Sequence, residues 1–339
     1  MKLRMLFSTV FLLFFILMVT PFDSNGHSAE IYEVQLRDKN PIVRRAAAEE
    51  LVRTSKRHVE EVLPLLVKAL KDEDKHVRRY TAMALGTMGK PAVDAVPALI
   101  EALKIEEDVT VRSKIAELLG KLGKNHVQDA VPALVDALKD QDPWVRSKVA
   151  EALGQLGESG QEAVPALIVA LQDADKGVRR RTAEALGGIG KPAQAAVPAL
   201  MTALQDEDKG VRRYAAAALG QIGKPAQAAV PALTQVLKAE DERIALSAAI
   251  ALGRIGEPVE EAISMLKDAL QTKDWHIREQ VVMALGGVAD SAQGIVPVLI
   301  GALDDEHKGV RYHALEALLK IDAPEAIKAI EEFRRNSEN

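Results

Sequence analysis

One short segment, AVPAL or a close variant of it, recurs along almost the whole of this 339-residue chain. Its proline returns every 33 to 35 residues, and Ser264 stands in the one position where the proline is missing. The prolines are Pro64, Pro97, Pro132, Pro165, Pro198, Pro231 and Pro297. A fixed period of this length indicates one supersecondary unit used many times, in which each unit buries its apolar face only against its neighbours.

A second recurring feature is a Val or Ile that is followed by Arg in eight of the nine units and by Leu, eight residues later, in all nine. The Val and Ile residues are Val43, Val77, Val111, Val145, Val178, Val211, Ile244, Ile277 and Val310. The leucines are Leu51, Leu85, Leu119, Leu153, Leu186, Leu219, Leu252, Leu285 and Leu318. We use these positions to define repeats 1 to 9.

Each repeat has the apolar spacing of two helices. In repeat 6, Val197, Leu200 and Leu204 lie three and seven residues apart, which places them on one face of a first helix. Val211 and Leu219 occupy the apolar face of a second helix. No alternating pattern typical of a β-strand occurs. We therefore predict a helical hairpin in every repeat.

Residues at the helix ends support this prediction. Asp208 is placed to cap the second helix of repeat 6, Gly223 to end it, and Pro225 to open the next helix. Alanines of the second helices are expected to let neighbouring helices approach closely; they are Ala84, Ala152, Ala185, Ala218 and Ala251. The predicted fold is all-α: one continuous right-handed α-solenoid of about nine helical hairpins, with the first hairpin as a cap and residues 323–335 closing the other end.

These features resemble HEAT repeats, in particular the phycobilisome-lyase-type HEAT-like class. The proline of the first helix, the Asp of the turn, the Val-Arg pair and the ALGxxG helix end carry the resemblance over residues 30–321. It implies an ARM/HEAT-type superhelix whose second helices line a concave surface. It also implies a ladder of hydrogen bonds between adjacent repeats, formed by Asp72, Arg78, Asp140, Arg146, Asp173, Arg179, Asp206 and Arg212.

The first residues of the chain differ in composition from the repeats. Lys2 and Arg4 precede an apolar run from Met5 to Val19, which is typical of a secretory signal peptide. We predict a signal peptide over residues 1–26, or to residue 29, and a mature solenoid over residues 27–339. Export to a bacterial periplasm or secretion follows. The alternative is an uncleaved membrane anchor, although the run is shorter than the roughly 20 residues that a span needs.

Composition and motifs exclude several kinds of chemistry. The chain has no cysteine, which excludes thiolate metal sites and a cysteine nucleophile. Its net charge of −5 argues against nucleic-acid binding by phosphate neutralisation. The His-Glu dipeptides of the deoxyhypusine hydroxylases, which belong to the same repeat class, do not occur. We therefore predict no catalytic residues, no metal and no cofactor.

Helix geometry predicts which side chains of the second helices face away from the core. In repeats 1–6, nine basic residues and four acidic residues occupy these positions. We expect a mildly basic stripe that includes Arg79, Lys114, Lys148, Arg180, Arg181 and Arg213. The alternative is an ordinary solvated helix face. Trp144 and Trp275, the two tryptophans, precede second helices and are expected to bind a partner or to pack on a neighbouring repeat.

Repeat 7 departs from the common pattern. Ala239 and Ala245 replace both members of its predicted ladder pair, and Leu246 and Ile250 replace charged residues of the outward face. We predict a partner-binding apolar patch formed by Tyr214, Leu246, Ile250, Met283 and Tyr312. The alternative is a bent stack or a self-association surface that buries these side chains.

The sequence thus predicts a monomeric, non-catalytic scaffold or adaptor that binds a protein partner along its concave face. Nucleic acid is not expected as a partner. The alternative function is an enzyme or enzyme subunit of the bilin-lyase or deoxyhypusine-hydroxylase kind, which the family resemblance leaves open.

Overall fold

The computed structural model describes residues 27–56, 59–122, 127–288, 294–321 and 323–337. Over these ranges the chain is an all-α solenoid with no β-strand. Its described residues form two compact units, which meet in the sequence between Ala102 and Leu103. The predicted signal segment, residues 1–26, lies outside the described residues. Among those that are described, no helix is both long enough and apolar enough to cross a membrane.

The described residues form nineteen α-helices. They are α1 His27–Leu36, α2 Pro41–Thr54, α3 Val59–Ala69, α4 Lys75–Met88, α5 Val96–Ile105, α6 Val109–Leu122, α7 Val127–Ala137, α8 Pro143–Gln155, α9 Val164–Ala170, α10 Lys176–Ile189, α11 Val197–Ala203, α12 Lys209–Ile222, α13 Val230–Val236, α14 Glu242–Ile255, α15 Glu260–Ala269, α16 Trp275–Val288, α17 Val296–Gly301, α18 Lys308–Leu318 and α19 Pro324–Ser337. Odd-numbered helices up to α17 are the first helices of repeats 1 to 9, and even-numbered helices are the second helices.

Short 3-10 helices precede or extend several first helices. Their bounds are Lys90–Ala95, Gly157–Ala163, Lys191–Ala196, Lys224–Ala229 and Ala302–Asp304. The recurring proline lies in the first turn of α9, α11, α13 and α17, where its missing N–H has no helical partner to lose. Pro64 and Pro132 differ, because they lie inside α3 and α7.

Both ends of the second helices follow the predicted pattern. Asp208 Oδ1 accepts a hydrogen bond of 3.0 Å from the backbone N–H of Val211, which caps α12. Gly223 ends that helix with a φ of +73°, a conformation that glycine adopts without a steric cost. Pro225 stands at the start of the following 3-10 helix.

Second helices stack on one another through small residues. In the second unit, each second helix from α6 to α16 packs against the second helix of the following repeat. In the first unit, α2 packs against α4 in the same way. A Cβ atom added at Gly154 would lie 2.6 Å from the Cα atom of Ala185 on the neighbouring helix. Gly120 with Ala152 and Gly220 with Ala251 repeat this arrangement. The close approach of neighbouring helices, which the sequence predicts for the alanines, therefore depends in these pairs on a glycine of one helix and an alanine of the next.

The leucine that defines each repeat forms the centre of the core. All nine of these leucines have no solvent-accessible surface. Alanines and β-branched residues of the same helices surround them, including Ala215, Ala218 and Val211 in repeat 6. Because aromatic residues make up 4% of the chain, aliphatic side chains fill most of this core.

Additional contacts close each terminus of the described chain. In the first unit, α1 packs against α2 and α3 and buries Tyr32. In the second unit, α19 packs against α17 and α18 and buries Ala326 and Ile330. Ile327 of the same helix is 48% exposed.

Candidate functional site

The recurring Arg and Asp join adjacent repeats. In repeat 5, Arg179 Nε and Nη2 donate hydrogen bonds of 2.7 and 3.0 Å to the carboxylate of Asp206 in repeat 6. Arg179 Nη1 also donates to the backbone oxygens of Asp173 and Ala174 in its own turn, at 2.9 and 3.1 Å. One buried guanidinium therefore fixes two successive turns.

The same contact recurs in both units. Within the first unit it joins Arg44 to Asp72, and within the second unit it joins Arg112 to Asp140, Arg146 to Asp173 and Arg278 to Asp305. Arg78 and Arg212 each donate to two backbone oxygens of their own turn. The arginine of one repeat thus binds the carboxylate of the following repeat.

Repeat 7 interrupts this ladder. Ala239 provides no carboxylate for Arg212, whose described hydrogen bonds go to the backbone oxygens of Asp206 and Glu207. Ala245, which replaces the arginine, is buried. Helix α14 nevertheless packs against both α12 and α16, so the stack of second helices continues without the ladder pair.

A second type of contact links outward-facing arginines to helix caps. Arg180 donates two hydrogen bonds of 2.5 Å to Asp208, the cap of the next second helix. This contact, together with hydrogen bonds from the backbone, lowers the pKa of Asp208 far below its ordinary value. Arg45 contacts the capping residue Asp74 in the same way in the first unit.

Most residues of the predicted basic stripe are already paired with carboxylates. Lys114 lies 3.0 Å from Glu117, Lys148 lies 2.9 Å from Glu151, and Arg181 lies 2.6 Å from Glu184. Arg79 is exposed in the first unit. Arg213 forms no ion pair with a carboxylate of the described residues. The stripe therefore presents less free charge than its composition indicates.

Four of the predicted surface residues, together with Trp144, line one groove in the second unit. This Trp144 groove has a volume of about 480 Å³ and crosses the first turns of α8, α10 and α12. Its lining residues are Pro143, Trp144, Ser147, Asp175, Gly177, Arg180, Arg181, Gly210, Arg213 and Tyr214.

Aromatic rings and cations alternate along the Trp144 groove. Trp144 is 57% exposed, and Lys148 Nζ lies 5.1 Å from its ring centroid. Arg213 Cζ lies 4.8 Å from the ring centroid of Tyr214. Cations over aromatic faces hold both partners in place at modest energetic gain. The groove thus offers a partly ordered aromatic and cationic surface to a ligand.

Two glycines that the sequence analysis did not connect with binding line this groove. Gly177 and Gly210 occupy the position of Trp144 in repeats 5 and 6. A Cβ atom at Gly210 would overlap the guanidinium group of Arg180, which passes across this position towards Asp208. The sequence signal that could have indicated this groove is one position, directly before the recurring Val, which holds Trp in repeat 4 and Gly in repeats 5 and 6.

Two other grooves in the second unit lie beside the ladder. One, of about 540 Å³, contains Arg179 and Asp206, and the other, of about 500 Å³, contains Arg112 and Asp140. Because the same pair lines both, these grooves are a property of the repeat. The Trp144 groove depends instead on residues that vary between repeats, as expected of a binding site.

Only two of the five residues of the predicted apolar patch are exposed. Met283 and Tyr312 are 41% and 63% exposed, whereas Leu246 and Ile250 at its centre are half-buried, as is Tyr214. Tyr214 lines the Trp144 groove. The five residues therefore contribute to two different surfaces, and their role in binding stays a prediction.

The two tryptophans have different environments. Trp275 stacks on His276 and on His307 of the next repeat, with ring centroids 3.4 and 3.6 Å apart. It packs against a neighbouring repeat, while Trp144 reaches solvent. In the described ranges, no group of three or more His, Asp or Glu side chains is arranged to hold a metal ion.

Solved structures that are similar to this chain come from proteins of several kinds. Kap95p, in a structure with RanGDP, has a TM-score of 0.52 and 17% identity over 89% of this chain and 45% of Kap95p. YibA of E. coli has a TM-score of 0.48 and 22% identity over 76% of this chain and 92% of its own. The CpcE–CpcF phycocyanin lyase complex of Nostoc sp. has a TM-score of 0.41 and 25% identity, over 73% and 96%.

The family comparison covers the repeats from end to end. No curated protein sequence matches the chain. The family model of HEAT repeats matches residues 31–120, 96–174, 164–230, 230–294 and 270–339. These segments overlap, and together they span almost the whole chain outside the predicted signal segment and cover the helical hairpins of the structure. The chain therefore belongs to the HEAT-repeat family.

Proposed function

We propose that this protein is a non-catalytic scaffold that binds a protein partner through the outward face of its second helices. The observation that carries this proposal is the Trp144 groove, where an exposed tryptophan lies beside Arg213 and Tyr214. Tryptophan, tyrosine and arginine are the residues most enriched at the energetic centres of protein interfaces. A HEAT-repeat array supplies the rigid, extended surface on which such residues act together.

The fold comparison is consistent with this role. Kap95p shares the solenoid fold, and its solved structures include complexes with RanGDP and with Nup1. The likeness supports protein binding as a use of this fold, without identifying the partner. We further propose that the chain acts after export, on the basis of the apolar segment from Met5 to Val19.

A pull-down with the purified protein tests the proposal. Wild type, Trp144→Ala with Arg213→Ala, and the control Val169→Ala are immobilised and exposed to a periplasmic or secreted fraction of the native organism. Val169 is 73% exposed and lies on a first helix, so its loss removes apolar surface elsewhere. We expect discrete partners to be retained by wild type and Val169→Ala and lost from the double variant.

The enzyme hypothesis has a separate test. Metal analysis and an ultraviolet–visible spectrum of the purified native protein detect bound iron or a bilin-like chromophore. We expect a colourless protein with no stoichiometric metal. Stoichiometric iron or a visible absorption band would replace the scaffold proposal with an enzyme of the hydroxylase or lyase kind.

A further inference from the structure

We propose that the Trp144 groove binds an extended acidic segment of the partner, with a carboxylate on Arg213 and an apolar side chain on Trp144. This inference rests on the proposed scaffold function and deepens it by naming the chemistry of the bound segment. Three observations carry it: the uncompensated charge of Arg213, the exposure of Trp144, and the length of the groove.

The charge of Arg213 determines the sign of the ligand. Arg180 and Arg213 occupy the same position in consecutive repeats, but Arg180 is bound by Asp208 of the next repeat. The corresponding cap in repeat 7, Asp241, is instead approached by Lys209 at 3.5 Å and Arg243 at 3.7 Å. Arg213 rests over Tyr214 and has no described carboxylate partner. An acidic side chain of a ligand would give Arg213 the carboxylate partner that Arg180 has in Asp208.

Two of the three carboxylates near the groove are paired with cations of the protein. Glu184 is bound by Arg181, and Glu151 is bound by Lys148. Asp175 accepts a hydrogen bond from the backbone N–H of Val178, which it caps. Glu184 and Glu151 are therefore paired with cations, whereas the carboxylate of Asp175 is held by a backbone N–H alone. Among the arginines that line the groove, Arg213 is the one without a carboxylate partner in the described residues.

Trp144 provides the apolar part of the site. Its ring is 57% exposed at the first turn of α8, and Lys148 lies over it. Burying an exposed tryptophan against an apolar side chain is favourable, because aromatic side chains carry a large apolar area. Gly177 and Gly210 line the groove between Trp144 and Arg213, and the guanidinium of Arg180 passes across Gly210.

The dimensions of the groove indicate a short ligand segment. The groove crosses three successive second helices, and packed helices lie about 8–10 Å apart. Two such spacings equal roughly 16–20 Å. An extended chain advances about 3.3 Å per residue, so about five or six residues fill the groove.

A binding experiment with defined peptides tests this inference. The full chain with Trp275→Phe makes Trp144 the sole tryptophan reporter. It is titrated with a capped hexapeptide of four Glu and two Phe, and with a matched hexapeptide in which Lys replaces Glu. We expect the acidic peptide to change Trp144 fluorescence saturably and the basic peptide to have no effect. Binding of the acidic peptide should weaken with added salt.

Matched variants locate the interaction. Calorimetry with the same acidic peptide should show a loss of affinity of about fivefold for Arg213→Ala and of more than about tenfold for Trp144→Ala. Lys114→Ala removes a cation of the same outward face outside the groove and should leave the affinity unchanged. Thermal unfolding of each variant verifies that the fold is retained.

Several results would overturn the inference. Equal binding of the basic peptide, or unchanged affinity after Arg213→Ala, contradicts an acidic ligand. Tighter binding of a six-nucleotide single-stranded DNA assigns the groove to nucleic acid instead. Absence of peptide binding, together with partner capture that depends on Trp144, overturns the acidic segment alone and leaves the scaffold function standing.

Discussion

Arg179 and Asp206, which lie 27 residues apart in the chain, are joined by two hydrogen bonds of 2.7 and 3.0 Å between consecutive repeats. The side chains of both residues are largely buried, with exposed fractions of 9% and 13%. Arg212, the next arginine of the series, has Ala239 in place of the carboxylate. Arg179 and Arg212 therefore occupy equivalent positions in two repeats, and Arg179 has the interrepeat ion pair that Arg212 lacks.

This difference predicts unequal effects of two matched substitutions. Arg179→Ala removes the ion pair and leaves Asp206 buried without its partner, so the free energy of unfolding should fall by about 3 kcal/mol. Arg212→Ala removes hydrogen bonds to backbone oxygens alone and should cost about 1 kcal/mol. Urea denaturation followed by circular dichroism measures both. Equal losses would show that the carboxylate contributes nothing to the ladder.

Close packing of the second helices predicts a steric effect at Gly154. Gly154→Ala places a methyl group 2.6 Å from the backbone of Ala185, and the resulting displacement should lower stability by about 1–3 kcal/mol. Gly301→Ala is the control, because a Cβ atom there has no neighbour within 4 Å. That variant should be neutral or more stable by up to about 1 kcal/mol. Thermal unfolding distinguishes the two, and a stabilised Gly154→Ala would contradict the close approach.

The leucine core predicts a local loss of stability. Leu219→Ala leaves a cavity at a fully buried position and should cost about 2–5 kcal/mol. Because stability in repeat proteins depends on nearest neighbours, backbone hydrogen exchange should accelerate in repeats 5 to 7 before other repeats of the second unit. Leu319→Ala, at a 55% exposed position, should change exchange little. Uniform acceleration along the chain would disprove local coupling.

The ladder also predicts a dependence of stability on acid. The hydrogen bond from Arg278 lowers the pKa of Asp305 below its ordinary value of about 3.9. The unfolded state therefore takes up a proton at a higher pH than the folded state does. The stabilisation is complete above about pH 4 and is lost as the pH falls through the lower folded pKa.

Denaturation of two variants between pH 2 and pH 6 measures this contribution. Asp305→Asn should make the decline of unfolding free energy below about pH 4 shallower than in wild type. Asp268→Asn, at an exposed position on α15, serves as the control and should follow the wild-type curve. An Asp305→Asn curve parallel to that of wild type would be incompatible with a lowered pKa.

The apolar patch of repeat 7 predicts a separation of folding from binding. Leu246 and Ile250 are half-buried, so Leu246→Glu with Ile250→Glu should retain helical circular dichroism while lowering partner capture in the pull-down. Ser247→Glu adds one charge to the same helix without removing apolar surface, and should leave capture unchanged. Loss of fold in the double variant would show that the two residues serve the stack, and undiminished capture would end the patch hypothesis.

The amino-acid sequence by itself determined the helices and their repetition. The spacing of Val211 and Leu219, the cap at Asp208 and the helix end at Gly223 are local signals, and each one is found in the structure at the predicted place. In a repeat protein, each hairpin contacts only the adjacent hairpins, and these carry the same sequence pattern. The pattern of one repeat is therefore sufficient to predict the helices of the others.

Only the tertiary structure decided which side chains meet. The register in which Arg179 pairs with Asp206 of the next repeat and the contact of Gly154 with Ala185 depend on how neighbouring helices are placed. The same placement leaves Arg213 over Tyr214, without a carboxylate partner in the described part of the chain. The sequence predicts a mildly basic stripe from its balance of charges, whereas the pairing of Lys148 and its equivalents with carboxylates is visible only in the structure. The Trp144 groove is formed by residues of three repeats. Its shape therefore depends on how these repeats pack against one another, which the sequence of a single repeat does not specify.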